Sequence, residues 1–173
     1  MTIRFSAPAK INICLHVLKR RVDGLHQIDS LVIFLDCDEW ITVTKANKTE
    51  LSIIGPQAAK LPVSENNLIL RATRLFPAHC TSKITLHKSM PVAAGIGGGS
   101  ADAAATLKAM SKVWKLPMPN VSNQLQLGAD VPVCMHSKPV LMQGVGEDIS
   151  SVLNFPKLFC CLVNPGVVVK TED

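Results

Sequence analysis

The sequence predicts an α+β domain with a mixed or antiparallel sheet, and three observations carry that expectation. Apolar runs of strand length stand before, between and after a few helical runs, without the regular strand-helix alternation of a doubly wound fold. Four glycines within five residues, Gly95, Gly97, Gly98 and Gly99, divide an apolar approach from an alanine-rich stretch that begins at Ser100. Hydrophobic residues make up 47% of 173, enough for one good-sized packed domain or the larger part of a two-domain protein.

Taken in order, residues 3–18 read as extended chain broken at Pro8. Ile11, Ile13, Leu15 and Val17 lie on one buried face, and Lys10 and Asn12 on the other turn toward something polar. Asp23-Gly24 signals a turn, after which residues 28–35 and 39–46 form two more strands. Residues 51–54 add a short strand stopped by Gly55-Pro56. Residues 64–76 predict a helix with Ser64 as N-cap and Leu68, Ala72, Leu75 and Phe76 on one side. Residues 83–87 alternate as a strand leading to the glycines. The following helix spans about residues 100–115, burying Leu107, Met110, Val113 and Trp114, and stops before Pro117 and Pro119. A shorter helix over 121–127 is closed by Gly128, and strands are expected at 131–135, 140–143 and 158–163.

The glycine stretch points to chemistry. Without side chains the backbone can turn several N–H groups toward one spot, and the positive end of the next helix converges there, an arrangement suited to phosphate. A Walker A loop is excluded, since Ser100, Ala101 and Asp102 follow Gly99 where Lys and Ser or Thr are needed. The dinucleotide fingerprint is excluded because Ser100 stands where it needs glycine. The alternative is a plain strand-to-helix turn, for which two glycines would suffice.

Other classes fall away on composition. No Tyr and only two Trp leave few platforms for stacking bases, which argues against nucleic acid despite a net charge of +5. The one basic run, Lys19-Arg20-Arg21, is either a solvated turn or an attractor of an anionic small substrate. Cys14, Cys37, Cys80, Cys134, Cys160 and Cys161 include no C-x-x-C pair and read as reduced, buried thiols of a cytosolic protein. Lys10 interrupts the N-terminal apolar stretch, so no signal peptide is read there, and no window reaches the length of a membrane span. The expectation is a soluble, cytoplasmic protein with no membrane or nucleic-acid partner.

Several blocks then share one resemblance. Pro8-Ala9-Lys10-Ile11-Asn12, Asp23-Gly24-Leu25-His26, the run from Pro91 to Ala105, and Leu127-Gly128-Ala129-Asp130-Val131-Pro132-Val133 resemble the galactokinase, homoserine kinase, mevalonate kinase and phosphomevalonate kinase (GHMP) superfamily. Glu65-Asn66-Asn67-Leu68-Ile69-Leu70 and Gln143-Gly144-Val145-Gly146-Glu147 are similar to weaker blocks of it. The likeness is greatest to the branch that phosphorylates 4-diphosphocytidyl-2-C-methyl-D-erythritol, in the non-mevalonate route to isoprenoid precursors. The resemblance implies an N-terminal GHMP kinase domain related to the second domain of a small-subunit ribosomal protein. Residues 1–173 would form this nucleotide-binding domain, entering the start of a second domain at about residue 160, with the rest of the C-terminal domain absent from this chain.

The resemblance also implies roles. ATP and Mg²⁺ would be used, with the phosphates cradled by Pro91, Val92, Ala93, Ala94, Gly95, Ile96, Gly97, Gly98, Gly99 and Ser100, the last touching the β- and γ-phosphates or the Mg²⁺. Asp130 would take the proton from the acceptor hydroxyl, and Lys10 would stabilise charge beside it. Asn67 and Lys88 would line the adenine side. Asn12, Leu25 and His26 would contact the acceptor, with Pro165 and Gly166 in the acceptor-side loop. Leu25 stands where an aromatic residue is common, offering apolar contact without a ring. Read alone, Asp130 caps a turn, Lys10 is a solvated edge charge, Ser100 caps a helix, and Asp102 favours the helix dipole. Three functions are thus in play: a small-molecule kinase, a nucleotide-binding module that cannot turn over, and an RNA-binding domain.

Overall fold

The computed structural model describes residues 1–36, 39–92 and 94–163. The elements run β1 (Thr2–Ser6), β2 (Lys10–Arg20), β3 (His26–Phe34), β4 (Trp40–Lys45), β5 (Glu50–Ile54), α1 (Leu68–Thr73), β6 (Ser82–His87), α2 (Gly98–Trp114), α3 (Val121–Leu127), α4 (Val131–His136), β7 (Val140–Gly144) and β8 (Asp148–Ser151), with a 3₁₀ turn at Ala58–Lys60. Two four-stranded sheets result, ordered β1-β4-β6-β5 and β2-β3-β7-β8. All pairings are antiparallel except β5 with β6, so the expected α+β class with mixed and antiparallel sheets is present.

The first sheet follows from a period of two. Ile41 and Val43 of β4, with Ile84 and Leu86 of β6, point inward and are fully buried. Against them lies α2, whose Ala103, Ala104, Ala105 and Ala109 let backbones approach while Leu107 and Met110 fill the space between. Trp40 faces outward, stacked 3.8 Å from His87 with the Arg4 guanidinium 3.7 Å above its ring. The core therefore holds α2 rigidly by its side, leaving its N-terminus free to carry the glycine loop.

Several expectations need correction. The outer part of β2 buries neither face: Ile13, Leu15 and Val17 are 47%, 53% and 60% exposed. Strand β2 is a sheet edge, and register shifts between Asn12 and Cys14 and between Val17 and Lys19 break the alternation on which a buried face depends. Residues 131–135 form helix α4 and not a strand. Their β-branched, apolar-all-round character is ambiguous by periodicity, but Pro132 in the first turn after Asp130 is a helix-start signal that decides it. Helix α1 is shorter than 64–76 and is capped by Asn67, whose Oδ1 accepts from Ile69 N–H, while Ser64 forms a preceding turn. Residues 158–163 form no strand, and Phe159 and Val163 are almost fully exposed. Cys14, Cys160 and Cys161 are exposed, so only Cys80 and Cys134 match the buried-thiol reading; Cys37 lies outside the described residues. Polar β8 carried no apolar alternation and was missed.

Candidate active site

Helix α2 starts two residues before Ser100, with Gly97 as its N-cap, so Ser100 is not the cap. Its first backbone bond runs from Ala101 N–H to Gly97 O, 2.9 Å, which leaves the amides of Gly98, Gly99 and Ser100 ahead of the intrahelical ladder. Gly97 has φ +64°, and a Cβ there would stand 2.7 Å from Lys10 Cγ. Only glycine satisfies both the left-handed turn and the close passage of the lysine stem. The loop borders a cleft of about 380 Å³, lined by Pro91, Val92, Ala94, Gly95, Ile96, Gly97, Gly98, Gly99 and Ser100, with Leu61, Leu68, Lys88 and Asp102 completing its wall. Such a size suits a small-molecule ligand.

Lys10 opens β2 and is tied to the loop, its N–H donating to Ile96 O at 3.0 Å. Its Nζ lies 3.1 Å from Asp130 Oδ1 and donates to Asn12 Oδ1 at 2.8 Å. Asn12 Nδ2 donates to Ser30 Oγ, 2.7 Å, and that hydroxyl donates to Cys14 O, so Asn12 is held with its oxygen toward Lys10. Asp130 precedes α4 without a side-chain capping bond, which removes the turn-cap reading and leaves its carboxylate turned to Lys10. The lysine side chain is 8% exposed and the aspartate 34%, so an incoming group can reach the carboxylate while the ammonium stays sheltered. Thus Lys10 is no solvated edge charge. A Cβ on Gly128 would lie 3.7 Å from Ser100 Oγ, so the cradle and the Asp130 segment adjoin. A Cβ on Gly146 would lie 3.0 Å from Ala129 O, showing that the β7–β8 turn backs the same segment.

Beneath the loop sits a buried charge cluster. Lys88 Nζ donates to Glu39 Oε1 at 2.7 Å and to Asp102 Oδ2 at 3.2 Å. Glu39 Oε2 accepts from the Ser89 and Met90 amides, both at 2.9 Å. Asp102 Oδ1 is buried without a hydrogen-bond partner. Asp102 is therefore not a solvated dipole residue: burial pushes its carboxyl up to about 7, the nearby Glu39 charge adding to the effect and Lys88 opposing it. Burial alone would lower Lys88, but Asp102 and Glu39 together hold it above its ordinary value. Lys108, held down by burial, donates to Ser137 Oγ at 3.0 Å near the end of α4. Burial also pushes the Cys134 thiol up to about 12.

The structure thus brings together Lys10, Asn12, Asp130, Lys88 and the described loop residues. It does not bring Asn67 to the cleft wall; that side chain caps α1. His26 pairs with Arg20 at the opposite end of the hairpin from Lys10, which pairs with Phe34, and Leu25 lies in the adjoining exposed turn. Ala93, Pro165 and Gly166 lie outside the described residues. Glu39 and Ser30 were missed, since a lone acidic residue at a strand entrance and a serine within a strand carry no signal of burial. Among the described residues no group of three or more His, Cys, Asp or Glu could hold a metal ion, and no helix is long and apolar enough to cross a membrane.

The family description "GHMP kinases N terminal domain" matches residues 67–140, a stretch that includes the glycine loop and α2. Over those residues the chain is similar to the N-terminal domain of GHMP kinases. Its relatives are more particular. It is 50% identical to 4-diphosphocytidyl-2-C-methyl-D-erythritol kinase of Cereibacter sphaeroides over 95% of this chain and 59% of the relative. It is 47% identical to the same-named protein of Ruegeria pomeroyi over 99% and 61%. A crystal structure of 4-(cytidine 5'-diphospho)-2C-methyl-D-erythritol kinase superposes with a TM-score of 0.71 at 30% identity, covering 87% of this chain and 55% of that one. The chain spans about three fifths of the length of the curated relatives it matches.

Proposed function

We propose that the protein is a small-molecule kinase that transfers the γ-phosphoryl group of ATP to the 2-hydroxyl of 4-diphosphocytidyl-2-C-methyl-D-erythritol. The observation that carries this is the Lys10–Asp130 pair, 3.1 Å apart and joined through the Lys10 stem and amide to the glycine cradle. Phosphoryl transfer needs positioned phosphates, a cation near the transferred group and a group to orient or deprotonate the nucleophile, and this arrangement offers all three. The hydroxyl oxygen bonds to the γ-phosphorus as its proton passes to Asp130, and the bond to the β-γ bridging oxygen breaks to release ADP. Lys10 stabilises the charge developing on the attacking hydroxyl oxygen, and the amides of Gly98, Gly99 and Ser100 hold the phosphates.

Magnesium fits this donor set as an ion carried in on the phosphates, since Mg²⁺ is commonly held by one or two protein groups and substrate oxygens. Ser100 would supply its hydroxyl, whereas Asp102 is turned to Lys88. When bound, the ion neutralises phosphate charge. Asn12, fixed by Ser30, orients the acceptor near Lys10; Leu25, His26, Pro165 and Gly166 belong to the acceptor side, and Asn67 to the adenine side through its cap of α1. We place the activity in the cytoplasm, residues 1–173 forming the nucleotide domain of a two-domain enzyme. A second reading is nucleotide binding without turnover. Incubating ATP and the cytidine diphosphate substrate with residues 1–173, and with the full-length protein, separates the two by ³¹P NMR of a new phosphomonoester. No product from the full-length protein would refute the kinase assignment.

A further inference from the structure

The Glu39–Lys88–Asp102 cluster is the strongest group of buried charges outside the Lys10–Asp130 pair, and Glu39 is its anchor. Glu39 is 1% exposed, with both oxygens fully engaged: one accepts from Lys88 Nζ, the other from the consecutive amides of Ser89 and Met90. One carboxylate therefore fixes two things together, the ammonium and the chain that enters the glycine loop at Pro91. Lys88 has three N–H donors; Glu39 and Asp102 take two. Lys88 is one of the cleft-lining residues, and its Nζ lies 3.2 Å from where a Cβ on Gly98 would stand, so glycine at 98 leaves open the approach between ammonium and cleft.

We propose that Glu39 is a positioning residue of the nucleotide site, holding Lys88 with its remaining N–H toward the cleft and fastening Ser89–Met90 at the entrance to the loop. This rests on the nucleotide reading of the cleft. Glu39 touches no substrate; it acts through Lys88 and through the loop. A carboxylate is needed there because it accepts from an ammonium and two amides at once. An amide side chain of the same shape has one acceptor oxygen and would turn its N–H₂ against one of these donors.

The test is steady-state kinetics of Glu39→Gln in the full-length protein. The KM for ATP should rise about tenfold or more, while kcat and the KM for the acceptor stay within about twofold. A merely structural Glu39 would lower the melting temperature and leave the KM for ATP unchanged, overturning the proposal; parallel loss in all three constants would overturn it too. A measurement on the wild-type protein needs no variant. Amide hydrogen exchange at Ser89 and Met90 should already be slow without nucleotide, because Glu39 holds them. Fast exchange that slows only on adding ATP would assign that order to the ligand and overturn the proposal. ATP binding by the wild-type protein with an unaltered KM in the variant would sink this proposal alone, whereas absence of any ATP binding would sink the nucleotide reading with it.

Discussion

At the scale of single residues, Gly97 and Asp102 show how much the site depends on exact fit. Gly97→Ala imposes a left-handed conformation costing about 1–2 kcal/mol on a non-glycine residue, and its methyl meets the Lys10 stem at 2.7 Å. Since Lys10 is paired with Asp130 and Asn12, it cannot move without breaking those contacts. The expected outcome is lost turnover out of proportion to lost stability, measured as kcat against melting temperature. Asp102 gives a pH prediction. Its folded value of about 7 stands above the ordinary 3.8, so the folded state binds the proton more tightly than the unfolded chain. The stability from that proton is complete below about 3.8 and is lost as pH rises to about 7, with no further change above. Asp102→Asn mimics the protonated form. The melting temperature of the wild type minus that of the variant should therefore fall between pH 4 and 7 and level off above; a difference that grows with pH over that range would mean Asp102 is held ionised by Lys88.

At the scale of elements, α2 does two tasks with separable parts. Its alanine and Leu107–Met110 face is core, while its N-terminus is cradle. Leu107→Ala should cost about 2–5 kcal/mol of stability through the cavity it leaves. ATP affinity measured well below the melting temperature should change little, since the first turn is held separately by Lys10 and Lys88. The helix was legible from its glycine entry, alanine run and terminal prolines, and the strands of the first sheet from their alternation. Helix α4 was not: Val131, Pro132, Val133 and Cys134 are buried all round, and a short apolar run looks the same as a strand until packing decides. The outer face of β2 was misread for the opposite reason. Its alternation is real in sequence, but alternation says nothing about whether a neighbour covers the face.

For the whole molecule, the site is a convergence of four distant pieces: the start of β2, the chain before β4, the glycine loop with α2, and the segment before α4. Sequence blocks revealed three of them, because glycine clusters and the Lys10 and Asp130 motifs are distinctive. The Glu39 contribution was hidden, as it arises only when sheet pairing brings Trp40 beside His87 and sets the preceding residue against Lys88. The acceptor contact proposed for His26 would lie farther off, since that residue sits at the far end of the hairpin from Lys10. The central claim, that Asp130 works beside Lys10 on a phosphoryl group held by the loop amides, is tested most directly by Asp130→Asn in the full-length protein, with kcat and ATP affinity measured together. The account predicts turnover lowered by about 10²–10⁴-fold with ATP affinity nearly unchanged; turnover equal to the wild type would contradict it.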